Sequence, residues 1–173
     1  PASVCGGAAV FETLNCQLDD RGVLTVTLTR PEVRNAFNAQ LINELQQVFS
    51  NPAFAVDVRV VVLRGEGKSF CAGADLNWMK ASKGLGFEGN REDALRMASM
   101  FQAVYDCPAP VVAFTHGHAL GGGAGLVAAS DFALVNEDAK LGFTEVKLGI
   151  IPAGISPFVL EKIGAVHARR SFV

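Results

Sequence analysis

Hydrophobic and polar positions along the chain fall into alternating, one-faced and continuous patterns, and each pattern predicts one kind of element. Residues 10–18 and 23–29 are rich in β-formers and flank Asp19-Asp20-Arg21-Gly22, a turn with glycine where positive φ is easiest, so they predict a hairpin. Pro31 lacks an amide hydrogen and biases its predecessor toward extended geometry, which makes 30–36 a loop. After Asn38, a capping side chain, Leu41, Ile42, Leu45, Val48 and Phe49 recur on one helical face until Ser50-Asn51-Pro52. The β-branched run 58–63 predicts a buried strand. Asp75 is placed to cap a short helix through Lys80, and the Gly-rich stretch 83–89 reads as a mobile lid.

A longer helical pattern covers 92–106, with its methionines reading as core. A strand at 111–114 runs into His116-Gly117-His118-Ala119-Leu120-Gly121-Gly122-Gly123-Ala124-Gly125-Leu126 and a helix over 123–129. Strands at 131–135 and 140–143, a helix over 157–163 capped by Ser156, and a last helical pattern at 166–173 follow. One or two strands followed by a helix recur along the chain, which predicts an α/β fold with helices outside the sheet. No linker divides the pattern, so 1–173 reads as one domain. Within it, 1–9 reads as a disordered leader without the basic start of a signal peptide, and the final helix as cut in mid-architecture.

Composition narrows the partners. Half of the 173 residues are hydrophobic, enough to bury a sizeable core. Fifteen basic residues against seventeen acidic, with no block of like charge, argue against a nucleic-acid interface. No apolar run reaches the ~18 residues of a spanning helix, so no membrane partner is expected. Cys5, Cys16, Cys71 and Cys107 show neither a CxxC pair nor metal-ligand spacing, which reads as reduced thiols in a cytoplasmic setting.

The candidate chemistry lies at two strand-to-helix corners, Ser69-Phe70-Cys71-Ala72-Gly73-Ala74-Asp75-Leu76 and the glycine run at 121–125. Such a corner leaves N–H groups of the first helical turn unpaired. Two of them converging on one oxygen make an oxyanion hole, and on that basis the chain reads as an enzyme. Glu145 stands among Leu141, Phe143, Val146, Leu148 and Ile150, where burial disfavours the charged form of a carboxylate and suits a proton-transfer group. The alternative is a surface carboxylate paired with Lys147.

Rival motifs fail on spacing. Gly65-Glu66-Gly67-Lys68-Ser69 has Val62 where a phosphate loop needs glycine, the glycines at 121–125 do not spell G-x-G-x-x-G, and no G-x-S-x-G occurs. His116 and His118 have no third ligand nearby in sequence, so no metal is expected, and Cys71 reads as a packing residue.

Four segments, Arg30-Pro31 with Asn35-Ala36-Phe37-Asn38, Phe70-Cys71-Ala72-Gly73-Ala74-Asp75-Leu76, Gly117-His118-Ala119-Leu120-Gly121-Gly122-Gly123 and Glu145-Val146-Lys147-Leu148-Gly149-Ile150-Ile151-Pro152, occur in this order. Together they resemble the crotonase, or enoyl-CoA hydratase/isomerase, superfamily. The resemblance implies a crotonase-like spiral of repeated ββα units, a homotrimer or homohexamer, and an acyl-CoA substrate, with coenzyme A entering as part of that substrate and no other cofactor. It implies Ala74 and Gly122 as oxyanion donors, Glu145 as the proton carrier, and coenzyme A contacts from Val33, Arg34, Ala36, Ala72, Asp75 and Leu76. Ala153 would help Glu145 hold a water. Arg34 would supply the charge that many members carry as a lysine where Glu32 stands here.

One departure matters. Hydratases of this superfamily carry a second glutamate where this chain has Gly125. Three readings follow: hydration with one glutamate, a C2-to-C4 proton shuttle as in enoyl-CoA isomerases, or a non-catalytic CoA-binding subunit. The segments 71–80 and 151–159 resemble bacterial 3-methylglutaconyl-CoA hydratases of leucine breakdown, and the related hydratases of the acyclic-terpene route look similar, which makes one-glutamate hydration the expectation.

Overall fold

The computed structural model describes residues 11–51 and 54–172, so the expected leader, Val10 and Pro52 lie outside the described residues. The hairpin forms as β1 (Leu14–Leu18) against β2 (Val23–Leu28), antiparallel, with Gly22 at φ 82° in the turn. Asp19 accepts from the Arg21 and Val23 N–H groups at 3.0 and 2.9 Å, which fixes that turn from its first residue. β3 (Val60–Gly65) and β4 (Val111–Thr115) join in parallel, and a three-residue β5 (His118–Leu120) follows. β6 (Phe132–Val135) completes the main sheet in the order β1-β2-β3-β4-β6, and β7 (Lys140–Gly142) pairs in parallel with β5.

Two bridges, Phe37 with Ala74 and Cys71 with Ala119, continue the small β5–β7 ladder toward the N-terminus. Each turn of the chain therefore lays one segment in the main sheet and one in the minor ladder before leaving through a helix. This is the expected spiral of ββα units. The sequence reading passed over β5 because three residues are too few to show an alternation.

The helices are α1 (Ala39–Phe49), α2 (Phe54–Asp57), α3 (Leu76–Ser82), α4 (Gly86–Tyr105), α5 (Gly122–Ala129) and α6 (Ser156–Ser171). The Asn38 side chain accepts from the Leu41 N–H at 2.9 Å and starts α1 as expected. The apolar face of α1 is fully covered, and each large side chain buried this way stabilises the fold by about 1.5–3 kcal/mol. On the same helix the buried Glu44 accepts from the Glu12 and Thr13 N–H groups at 2.8 and 2.9 Å, from the Gln40 amide at 2.7 Å and from the Thr13 hydroxyl. That carboxylate fastens the entry of β1 to α1.

Two expectations are corrected. Residues 83–89 are not an irregular loop: hydrogen bonds from Lys83 N to Lys80 O and from Gly84 N to Ala81 O wind the end of α3 into a turn, and α4 starts at Gly86 rather than at residue 92. The Asn90 amide donates to Gly86 O at 2.7 Å and holds that first turn. Ser156 does not cap α6, because Ile155 already has helical angles and the Ser156 hydroxyl donates to Pro152 O at 2.7 Å. Gly164, at φ 74° and ψ 159°, breaks α6 between the two helical patterns expected there.

The helices close the core in series, with α4 packed on α1 and α5, and α5 on α6. Phe101 of α4 sits with its ring centroid 6.0 Å from Phe37 and 6.1 Å from Phe158. No helix among the described residues is long and apolar enough to cross a membrane.

Candidate active site

Successive rungs of the minor ladder bring together residues that are far apart in sequence. The first corner is fixed when the Cys71 N–H donates to His118 O and the Leu120 N–H returns to Cys71 O, both at 3.0 Å. On its other side Phe37 N donates to Gly73 O at 2.7 Å and Asp75 N donates to Phe37 O at 2.8 Å. Gly73 takes φ 93° between these bonds, a conformation that favours glycine. The Ala74 N–H lies between the two bonded positions and donates to no acceptor among the described residues.

The second corner follows β5. Gly121 N donates to Gly142 O at 2.9 Å, and α5 begins at Gly122. As the first residue of the helix, Gly122 has an N–H with no intrahelical partner, and it finds none elsewhere among the described residues. A methyl at Gly122 would run into the Phe37 ring, which is why the corner passes here as glycine.

The fourth turn of the spiral supplies the acid. After β7 the chain forms a 3-10 turn at Glu145–Leu148, closed by Gly149 at φ 69°. The Glu145 carboxyl lies over Gly121, where an added Cβ would stand 3.2 Å from Oε1. Oε2 is buried and has no hydrogen-bond partner among the described residues. A buried carboxylate oxygen without a donor is costly, and native folds keep such groups where a ligand or reaction uses them. The alternative, a pairing of Glu145 with Lys147, is not formed among the described residues.

Ala74, Gly122 and Glu145 share the wall of one cavity of about 350 Å³. Ala72, Leu76 and Ala153 line it as well. The Ala153 N–H donates to Ile151 O at 2.9 Å, so a water at that amide would share its hydrogen with Ile151. The structure also places in the wall residues that sequence reasoning missed: Met97, expected in the core, together with Met79, Lys147, Ile151 and Ile155. Only their convergence from α3, α4 and the 144–155 segment identifies them, and no local pattern carries it.

Val33, Arg34, Ala36 and Asp75 are not part of that wall. They belong to the two loops behind it, joined where Ala72 N donates to Arg34 O at 3.0 Å. Ala36 is buried, with its carbonyl accepting from the Arg30 guanidinium, while the Arg34 side chain is exposed. Arg30 also pairs with Asp75 at 3.0 Å, and Asp75 accepts from Asn77 N at 2.8 Å to cap α3. Burial alone would raise the Asp75 carboxyl, but the Asn77 N–H and the Arg30 guanidinium hold it below the usual carboxylate range. Asn35, at φ 55°, donates to Glu66 O and Ser69 O, both at 2.9 Å, and locks the first loop onto the second.

Three other features have structural uses. Burial pushes the Cys71 thiol up to about 12, which suits a packing residue. His116 Nε2 lies 2.9 Å from Gly67 O and His118 Nδ1 lies 3.3 Å from Ser69 Oγ, so both rings serve the 67–69 turn. At Gly125 an added Cβ would overlap Ile155 and press on Phe101, so the space beside α5 is already filled by an aliphatic side chain.

Residues 19–173 match the family model described as enoyl-CoA hydratase/isomerase. A Thermus thermophilus protein provisionally named an enoyl-CoA hydratase is 38% identical over 88% of this chain and 60% of its own length. A mouse mitochondrial Delta(3,5)-Delta(2,4)-dienoyl-CoA isomerase is 34% identical over 81% of the chain and 45% of its own. Among solved structures, AtuE of Pseudomonas aeruginosa superposes with a TM-score of 0.90 at 39% identity, covering 94% of this chain and 62% of that one. The chain thus spans about 60% or less of the length of the curated relatives named here.

Proposed function

The chain belongs to the enoyl-CoA hydratase/isomerase family, and from that premise we propose that it adds water across the 2,3 double bond of an acyl-CoA thioester with a single carboxylate. The observation that carries this reading is the unpartnered Oε2 of Glu145, on the same cavity wall as the two free N–H groups of Ala74 and Gly122. Those two donors take the thioester oxygen, where negative charge develops as the enolate forms. Glu145 removes a proton from a water whose oxygen bonds to the β-carbon, and then returns that proton to the α-carbon. One carboxylate so completes the reaction with nothing lost or gained besides the water.

Arg34, exposed on the first loop, attracts the coenzyme A phosphates, and backbone groups of Val33, Ala36, Ala72, Asp75 and Leu76 receive the rest of the carrier. Coenzyme A enters with the substrate, and no further cofactor is needed. We place the whole protein in the cytoplasm as a homotrimer or homohexamer. On the resemblance of 71–80 and 151–159, we take 3-methylglutaconyl-CoA as its substrate.

A second reading, a Δ3,Δ2-enoyl-CoA isomerase, is favoured by Gly125. With Ile155 filling the space beside it, one carboxylate serves the cavity, and one is enough to carry a proton between C4 and C2.

The conjugated thioester absorbance separates these readings. Wild type and Glu145→Gln are compared on 3-methylglutaconyl-CoA, crotonyl-CoA and a 3-enoyl-CoA. Hydration removes absorbance from the 2-enoyl substrates and falls by about 10²–10⁴ in the variant. A gain with the 3-enoyl substrate alone selects the isomerase. No change with any substrate leaves a non-catalytic CoA-binding subunit.

A further inference from the structure

We infer that Phe37 is the positioning residue of the oxyanion hole, its backbone aiming the Ala74 donor and its ring setting how far away the Gly122 donor stands. This inference rests on the reading of those two N–H groups as the hole. Ala74 and Gly122 belong to separate turns of the spiral, and a hole works only when both hydrogens reach one oxygen, at about 2.7–3.1 Å from each nitrogen. Phe37 touches both corners.

Its backbone holds the first. The Gly73 carbonyl and the Ala74 N–H belong to one planar trans peptide, so a carbonyl tied to Phe37 N at 2.7 Å turns that N–H away from Phe37. Asp75 N, donating to Phe37 O at 2.8 Å, ties the next peptide and fixes the bridge of Phe37 on Ala74. The side opposite Phe37 is the one on which Cys71 bonds to His118 and Leu120, the approach to Gly122.

The ring holds the second corner. A Cβ on Gly122 would stand 2.7 Å from Phe37 Cε2 and 2.9 Å from Cδ2, so only a glycine hydrogen fits between the ring and the start of α5. Phe101 meets the same ring in a T-shaped contact, with centroids 6.0 Å apart, and Phe37 is fully buried. A close-packed interior leaves no slack for a flat ring held in this way. A shorter side chain would let the start of α5 move toward the first corner, and a misplacement of about 1 Å in such a site costs about 10²-fold in rate.

The test is the infrared stretch of an isotope-labelled thioester carbonyl, read on butyryl-CoA, a saturated and inert probe, bound to the full-length protein. Two donors converging on that oxygen lower its frequency. Wild type should show this downshift, and Phe37→Leu should lose about half of it or more while binding butyryl-CoA within about threefold of wild type, because the remote carrier supplies most of the affinity. Phe37→Met, which keeps more of the volume, carries the same expectation where the leucine variant does not fold. Phe49→Leu removes an equally buried ring at the far end of α1 and should keep the full downshift. A wild-type downshift in the Phe37 variants overturns the inference, since the donors then converge without the ring. An equal loss in Phe49→Leu overturns it too, by assigning the effect to general core packing. Wild type that binds butyryl-CoA with no downshift, or does not bind it, removes the oxyanion reading itself and this inference with it.

Discussion

Ile155 occupies the space into which any side chain on Gly125 would have to grow. A Cβ built on Gly125 overlaps Ile155 Cγ2 and comes within 3.0 Å of Phe101 Cε1. The helix α5 and the segment before α6 are packed backbone to side chain at this point, and the absence of a second carboxylate is built into the packing as well as the sequence.

Gly125→Ala should therefore destabilise the protein by about 1–3 kcal/mol, the usual range for overpacking. Adding Ile155→Ala should recover part of that loss, so the double variant is more stable than the sum of the two single changes predicts. Denaturant unfolding of the four proteins checks this. A Gly125→Ala variant as stable as wild type would place Ile155 elsewhere.

Acid should loosen the fold at two named carboxylates. Burial alone would raise Glu44, but its hydrogen bonds from Thr13, Gln40 and Glu12 hold it below 4.5, and Asp75 is held below 3.8 against the same effect of burial. For a depressed carboxylate the unfolded chain binds more protons, so the stability is complete above the ordinary values and is lost as pH falls through the depressed ones. Stability measured from about pH 6 to about pH 2 should fall less steeply for Asp75→Asn and for Glu44→Gln than for wild type. Slopes identical to wild type in both variants would show that neither carboxylate has the role given to it.

Cys71 should be inert in the native protein. Its thiol is fully buried, and burial pushes it up to about 12, so almost no thiolate is present at neutral pH. Alkylation followed by peptide mass spectrometry should find Cys71 unmodified until denaturant is added. Modification of the folded protein at the rate of an exposed thiol would contradict its placement between Phe70 and Gly123.

What was legible in the sequence was what neighbours in the chain decide. The hairpin turn at Gly22, the caps at Asn38 and Asp75 and the one-faced helix α1 each depend on a few adjacent residues, and each stands where the pattern put it. The break at Gly164 was legible as a gap between two helical patterns. Misreadings came where one local signal was outweighed by another within a turn or two of the chain. The 83–89 stretch reads as a loop because glycine is a poor helix former, yet Gly86 and Gly89 begin α4. Ser156 carries a capping side chain but sits one residue inside the helix.

The site divides in the same way. Ala74, Gly122 and Glu145 came from family motifs, and their common cavity depends on the minor ladder, whose rungs are one to three residues long. Met97 looks like any core methionine along its helix, and only the fold turns it toward the cavity while Met100 stays buried.

Because the proposed oxyanion donors and Glu145 ride on consecutive rungs of one ladder, while α3 and α4 leave and return between rungs, the part of the cavity wall that Met79 and Met97 supply is carried by elements outside the ladder. Met79 and Met97 lie on this excursion, outside the bridge of Cys71 on Ala119 and the pairing of β5 on β7, while Met100, Phe101 and Val104 tie its end into the core. Substitutions at Met79 and Met97 therefore reshape the cavity wall without touching the backbone that presents Ala74, Gly122 and Glu145.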